Sequence, residues 1–169
     1  ALPDKRPLSP GKFADPLVTA DGSPRAVVHL QGLATLWLNT GTLCNLACAS
    51  CYIDSSPTND ALLYLTLAEA ERFLDQLTAP IEIGFTGGEP FMNSDMLPML
   101  AAALERGHSA LVLTNAMRPM RRHEAALLAL KARFGPALTL RVSIDHYTQD
   151  VHEGERGPGS WQPMLDGLR

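Results

Sequence analysis

The chain has 169 residues, 46% of them hydrophobic and 19% charged, with 14 basic and 18 acidic side chains and a net charge of -4. That mixture can bury one sizeable core, and it lacks the basic excess that a nucleic acid partner calls for. No stretch approaches the run of about eighteen apolar residues needed for a membrane span, and the N-terminus lacks the basic-then-apolar layout of a secretory signal, so the sequence reads as cytoplasmic with no membrane partner.

Residues 1 to about 26 are rich in Pro, Gly, Asp and Lys and read as an extended arm, followed by a short apolar run, Ala26–Leu30, that suits an extra strand. Residues 1–30 are therefore expected to form an N-terminal arm and residues 31–169 the core. Leu33–Asn39 is a stronger strand candidate that ends at Gly41. Directly after it, Cys44-Asn45-Leu46-Ala47-Cys48-Ala49-Ser50-Cys51 holds all three cysteines of the chain. Three thiols cannot all pair with one another, and their close spacing makes a better metal framework than a disulfide framework. A zinc ion completed by a fourth His or Asp ligand is one way to use them; an iron–sulfur cluster is another.

Thr66 opens a helix, with Glu69 completing a capping box and Leu67, Ala70, Leu74 and Leu77 falling on one face, and Pro80 is expected to end it. Ile81–Thr86 is the second strand; Met96–Arg106 is the second helix, with Ser94 or Asp95 as its cap and Gly107 at its end. Ala110–Thr114 is the third strand, and a helix from about Arg122 to Arg133 stops at Gly135-Pro136. Leu138–Ile144 is the fourth strand, with a helix beginning near Ser160. Alternation of this kind predicts an α/β fold with a parallel sheet and right-handed crossovers, four βα units in all.

Ligands bind such sheets beyond the carboxyl ends of the strands. The unusual residues stand there: the cysteine loop after the first strand, Thr86-Gly87-Gly88-Glu89-Pro90 after the second, Thr114-Asn115 after the third, Ser143 and Asp145 around the end of the fourth. Glycine permits close backbone approach, and hydroxyl, amide and carboxylate groups suit ribose hydroxyls, although each can also cap a helix or tighten a turn.

From about Leu33 onward these motifs resemble the core of the radical S-adenosylmethionine (radical SAM) enzymes, whose signature is the same three-cysteine spacing followed by a Gly-Gly-Glu-Pro segment. The resemblance implies a parallel partial (β/α) barrel in which Cys44, Cys48 and Cys51 hold a 4Fe-4S cluster and leave one iron open. S-adenosyl-L-methionine would chelate that iron, and its reductive cleavage would give a 5′-deoxyadenosyl radical that takes hydrogen from a peptide or small-molecule substrate. No catalytic residue is assigned beyond the cluster.

By the same resemblance, Gly87, Gly88, Glu89 and Pro90 face the methionyl amino group and Ser143 the ribose, with Asn115 and Asp145 in the polar shell around it. Arg156, in Asp150–Gly157, a stretch similar to one in the peptide-modifying (SPASM-like) branch, suits the methionyl carboxylate. His152 in that stretch reads as structural, substrate-facing or exposed, and a lone histidine is more often structural or exposed.

Several features depart from the family pattern. Ser50 stands where many relatives carry an aromatic residue, Tyr52 lies one place beyond the third cysteine, and His146 stands where Gly often follows the Ser-x-Asp segment. The family core has six βα units, so four imply that the core is truncated at its C-terminal end. Arg118, Arg121, Arg122, Lys131 and Arg133 form a solvated basic face or a landing patch for an acidic electron donor such as flavodoxin or ferredoxin. The alternative to an enzyme is a noncatalytic iron–sulfur or cofactor-binding module, or an incomplete fragment of such an enzyme.

Overall fold

The structure, a computed structural model, describes residues 11–169, so the expectation for residues 1–10 lies outside the described residues. The chain divides into two units after Gly32. In the first, Asp15 accepts from the backbone N–H groups of Leu17 and Val18, and a tight turn closes with Thr19 N donating to Ser23 O (2.8 Å) beside an antiparallel bridge between Val18 and Pro24. The strand expected at Ala26–Leu30 does not form: the run has no regular structure, and Val27, Val28 and Leu30 are exposed. An isolated apolar run without a neighbouring edge has nothing to satisfy its ladder.

In the second unit the described residues form four strands, β1 (Thr35–Asn39), β2 (Glu82–Thr86), β3 (Ser109–Thr114) and β4 (Leu138–Val142), in one parallel sheet of order β1-β2-β3-β4. Six helices connect and follow them: α1 (Leu67–Leu74), α2 (Met96–Glu105), α3 (Arg118–Arg121), α4 (Glu124–Phe134), α5 (Gln149–Arg156) and α6 (Trp161–Gly167). No helix among the described residues is long and apolar enough to cross a membrane.

Alternate strand residues build the core. Leu38 of β1, Ile83 and Phe85 of β2, Ala110 and Val112 of β3 and Leu138 of β4 join Ala70 and Leu74 of α1, Met96, Met99, Leu100 and Ala103 of α2, and Leu127 of α4 in one buried cluster. Burying each large apolar side chain of this kind is worth about 1.5–3 kcal/mol, which fixes the register because a one-residue slip would turn the set outward. The intervening residues, Trp37, Gly84, Leu111 and Thr139, lie in one register row on the opposite face.

The capping box of α1 forms as the sequence predicts: Glu69 N donates to Thr66 Oγ1, and Thr66 N donates to Glu69 Oε2 (2.9 Å). The helix ends at Leu74, well before Pro80, because Asp75 already closes its last turn. Asp95 precedes α2 but makes no side-chain cap there; its carboxylate instead accepts from Leu67 N of α1 (2.9 Å), tying the two helix starts together. The third crossover holds two helices rather than one, since the short α3 opens at Arg118 with Pro119 in its first turn. Helix α5 is absent from the sequence-based reading.

Candidate functional site

The loops after β1, β2, β3 and β4 meet at one end of the sheet. A cleft of about 230 Å³ there is lined by all three cysteines together with Gly87, Gly88, Asn115, Ser143, Asp145 and Arg156. A larger hollow of about 680 Å³ lies along the outer edge of β4, between Leu138, Leu140, Leu127 and the end of α6. None of the predicted site residues lines that hollow, so the smaller cleft is the functional candidate.

The cysteine loop closes on itself through Cys44 N donating to Ser56 O (3.1 Å), a parallel bridge between Leu43 and Ser56, and Cys51 N donating to Cys48 O (3.2 Å). Cys44 is buried; Cys48 and Cys51 are partly exposed, and all three thiols are free. Each sulfur faces an N–H donor: Leu46 N to Cys44 Sγ (3.4 Å), Ser55 N to Cys51 Sγ (3.2 Å), and Arg156 Nη1 to Cys48 Sγ (4.0 Å). Asn115 Nδ2 approaches Cys44 Sγ at 3.9 Å.

Burial pushes the Cys44 thiol up to about 11, aided by the negative charge of Glu89, and also raises Cys48, against the pull of the Arg156 charge. Cys44 is thus no free nucleophile at neutral pH, whereas a metal would displace its proton. Three thiols with N–H donors directed at them are the chemistry of an iron–sulfur ligand set, and the residues present fit that group. Among the described residues no three of His, Cys, Asp and Glu surround a point where a single metal ion would sit.

The Gly-Gly-Glu-Pro segment is stitched to the root of this loop. Gly88 N donates to Gly41 O (2.9 Å) and Glu89 N to Leu43 O (3.0 Å). A Cβ on Gly88 would lie 2.1 Å from Leu43 O, and one on Gly87, whose φ is 132°, would lie 2.6 Å from Gly41 O. The close approach that calls for glycine is therefore to the backbone under the cysteine loop.

Glu89 is 1% exposed. Its Oε1 accepts from Thr114 Oγ1 (2.9 Å) and Phe91 N (3.2 Å), and its Oε2 accepts from Asn115 N (2.8 Å). Burial pushes the carboxyl up, while the donors from Asn115, Thr114 and Phe91 and the Arg156 charge pull it down. Pro90, also buried, begins the short 3-10 turn behind it. Both residues stand behind the cleft wall and do not line it, with Glu89 bracing the end of β2 against the end of β3.

Asn115 is spent on its neighbours: Nδ2 donates to Asn45 Oδ1 (3.0 Å), and Oδ1 accepts from Met117 N (3.1 Å). Ser143 is half-buried in the cleft, its N–H donating to Thr114 O (2.9 Å). Asp145 forms an ion pair with Arg156. His146 accepts from Thr148 N through Nδ1 (3.1 Å) and stacks on Tyr147, ahead of α5. His152 is fully buried against Trp161, with neither ring nitrogen paired. Tyr52 is exposed at the cleft rim, its hydroxyl 3.4 Å from Thr86 Oγ1.

Sequence reasoning did not find Asn45, the loop residue that meets Asn115, or Glu155, which accepts from Ala49 N and Ser50 N. The basic face is partly committed elsewhere: Arg133 pairs with Glu105 (2.8 Å), Arg121 with Asp166 (4.0 Å), and Lys131 Nζ donates to Leu138 O (2.9 Å).

A parallel α/β half-barrel that gathers three thiols and a glycine-rich turn at its carboxyl end defines a class of cofactor-binding core domains. The model of the Radical SAM superfamily matches residues 38–169, and the chain belongs to that family. It is 29% identical over 116 residues to the antilisterial bacteriocin subtilosin biosynthesis protein AlbA of Bacillus subtilis (strain 168), a match covering 68% of this chain and 25% of that protein.

Its fold is similar to that of Streptococcus suis SuiB bound to S-adenosylmethionine, with a TM-score of 0.61 and 20% identity over 73% of this chain and 28% of SuiB. A second crystal structure of SuiB matches with a TM-score of 0.57 at 19% identity. The chain spans about a quarter of the length of these proteins. The family's cofactors are a 4Fe-4S cluster and S-adenosylmethionine.

Proposed function

We propose that residues 31–169 are the cluster- and S-adenosylmethionine-holding core of a peptide-modifying radical enzyme, preceded by an arm over residues 1–30. The observation that carries this reading is the convergence of three N–H-bonded thiols with the Gly87-Gly88 turn, Ser143, Asp145 and Arg156 in one cleft. Cys44, Cys48 and Cys51 hold the cluster. When bound, the cluster and S-adenosylmethionine supply one-electron cleavage of the sulfonium carbon–sulfur bond, and with it a carbon radical able to remove a substrate hydrogen.

The chain's own groups bind and orient. Gly87 and Gly88 keep the wall of the cleft thin, and Glu89 and Pro90 hold that wall in place, so the segment meets the methionyl amino group through its backbone while the Glu89 carboxylate stays turned inward. Ser143 offers a hydroxyl to the ribose, with Asn115 and Asp145 beside it. Arg156, half-buried between Asp145 and Cys48, brings positive charge to the methionyl carboxylate.

A peptide substrate is favoured over a small metabolite by the similarity to a bacteriocin biosynthesis protein. The reductant is an acidic flavodoxin or ferredoxin, drawn to exposed Arg118 and Arg122, and the protein works in the cytoplasm. The test is anaerobic reconstitution of the intact protein with iron and sulfide, followed by dithionite and S-adenosylmethionine. Formation of 5′-deoxyadenosine is expected; a full cluster that releases none would favour the noncatalytic cofactor-binding module.

A further inference from the structure

Ala49 and Ser50 are the two residues between the second and third thiols, and both are fastened to one residue of α5. Ala49 N donates to Glu155 O (2.9 Å), Ser50 N donates to Glu155 Oε1 (2.7 Å), and Ser50 Oγ donates to the same carboxylate oxygen. The partners lie 105 positions apart in sequence. Ala49 and Ser50 are exposed, and Cys48 and Cys51 only partly buried, so no core packing fixes this half of the loop. The other half is held differently, by buried Cys44 and by Asn115 bonded to Asn45.

We infer that Glu155 is a positioning residue that sets the spacing of Cys48 and Cys51, with Ser50 as its partner in the loop. The inference rests on the reading that the three thiols hold a cluster. Ligands to different irons of one cluster must keep a fixed separation, and a two-residue bridge tied at both residues to one rigid helix end supplies it. A carboxylate is the stronger acceptor for two donors converging on one oxygen. Ser50 is suited to the pairing because its side chain is short enough to turn back onto the oxygen that its own N–H already meets.

The intact protein, reconstituted anaerobically, is assayed for the rate of iron loss to a chelator and for the EPR line shape of the dithionite-reduced cluster. Glu155→Ala is expected to lose iron about tenfold faster than the wild type, and Ser50→Ala about threefold faster, since each removes hydrogen bonds to a charged acceptor. The double variant should be no worse than Glu155→Ala. Glu155→Gln, which keeps an oxygen acceptor, should recover most of the retention. The apo forms should melt at the wild-type temperature, while the EPR line shape of Glu155→Ala differs from wild type.

Wild-type iron retention and line shape in Glu155→Ala, or additive losses in the double variant, would overturn the inference and leave the cluster reading intact. If Glu155→Ala does not fold, Ser50→Ala against Glu155→Gln carries the same test: equal retention in those two overturns it. A wild type that takes up no cluster removes the reading on which it stands.

Discussion

The two flanks of the cleft are built on opposite principles. On the β2–β3 flank, Glu89 is buried and both of its carboxylate oxygens are satisfied by Thr114, Phe91 and Asn115, while Gly88 sits against Leu43 O with no room for a methyl group. On the α5 flank, the cysteine loop meets half-exposed Glu155 and Arg156, and the contacts are hydrogen bonds and an ion pair open to water. The first flank is finished by folding alone. The second is held by polar contacts that water reaches, on the side where Cys48 and Cys51 are partly exposed.

The largest effect expected is on the metal. Replacing any one of Cys44, Cys48 or Cys51 by alanine should abolish the cluster, as measured by iron and sulfide content, because two thiols cannot hold three irons. Full iron content in Cys48→Ala would refute the ligand assignment and leave the two flanks without a common purpose.

Next comes the contrast between the flanks. Glu89→Ala strands three buried donors and should destabilise the fold by about 3 kcal/mol, read by urea denaturation, as well as weakening S-adenosylmethionine binding. Asp145→Ala breaks a half-exposed ion pair and should cost about 1 kcal/mol or less. Equal costs would erase the distinction.

Two further predictions probe the molecule away from the cleft. His108, just before β3 at the amino end of the sheet, is buried and accepts from Ile81 N through Nδ1 (3.2 Å), so burial and the nearby Arg106 charge hold it below its usual value of 6.5. The unfolded chain then takes up a proton that the fold refuses. This stability is fully present above 6.5 and is lost as pH falls toward the folded value. His152, buried without a partner, is shifted the same way. Thermal melting should drop as pH falls below about 6.5, and His108→Asn, which keeps an acceptor, should flatten the drop. The smallest effect belongs to Arg106, which reaches Glu71 (3.1 Å) and Asp75 (2.9 Å) on the surface. Arg106→Ala should cost less than about 1 kcal/mol, fading with added salt.

What was legible in the chain follows the same division. The capping box at Thr66, the four strands and the cysteine and glycine motifs are local signals, written in residue type and spacing, and the structure brings the two motifs together at one end of the sheet. The direction of Glu89 was not local: two of its three donors, Thr114 and Asn115, stand at the end of β3 and just after it, 25 and 26 residues on. Helix α5 was hidden because its sequence, QDVHEGER, has no apolar periodicity; its buried residue is His152, and its Val151 is exposed. Ala26–Leu30 misled in the opposite sense, being apolar without a partner edge. Glu155 carried no mark that distinguished it from a solvated helix residue, since its role depends on a serine 105 positions earlier.

The most direct test of the central claim, that three thiols of one loop hold a cluster with one iron left for S-adenosylmethionine, is the EPR spectrum of the reduced, reconstituted protein before and after that cofactor is added. A 4Fe-4S signal whose g-values shift on addition is expected. A protein that takes up zinc alone, or a cluster signal indifferent to S-adenosylmethionine, would contradict it.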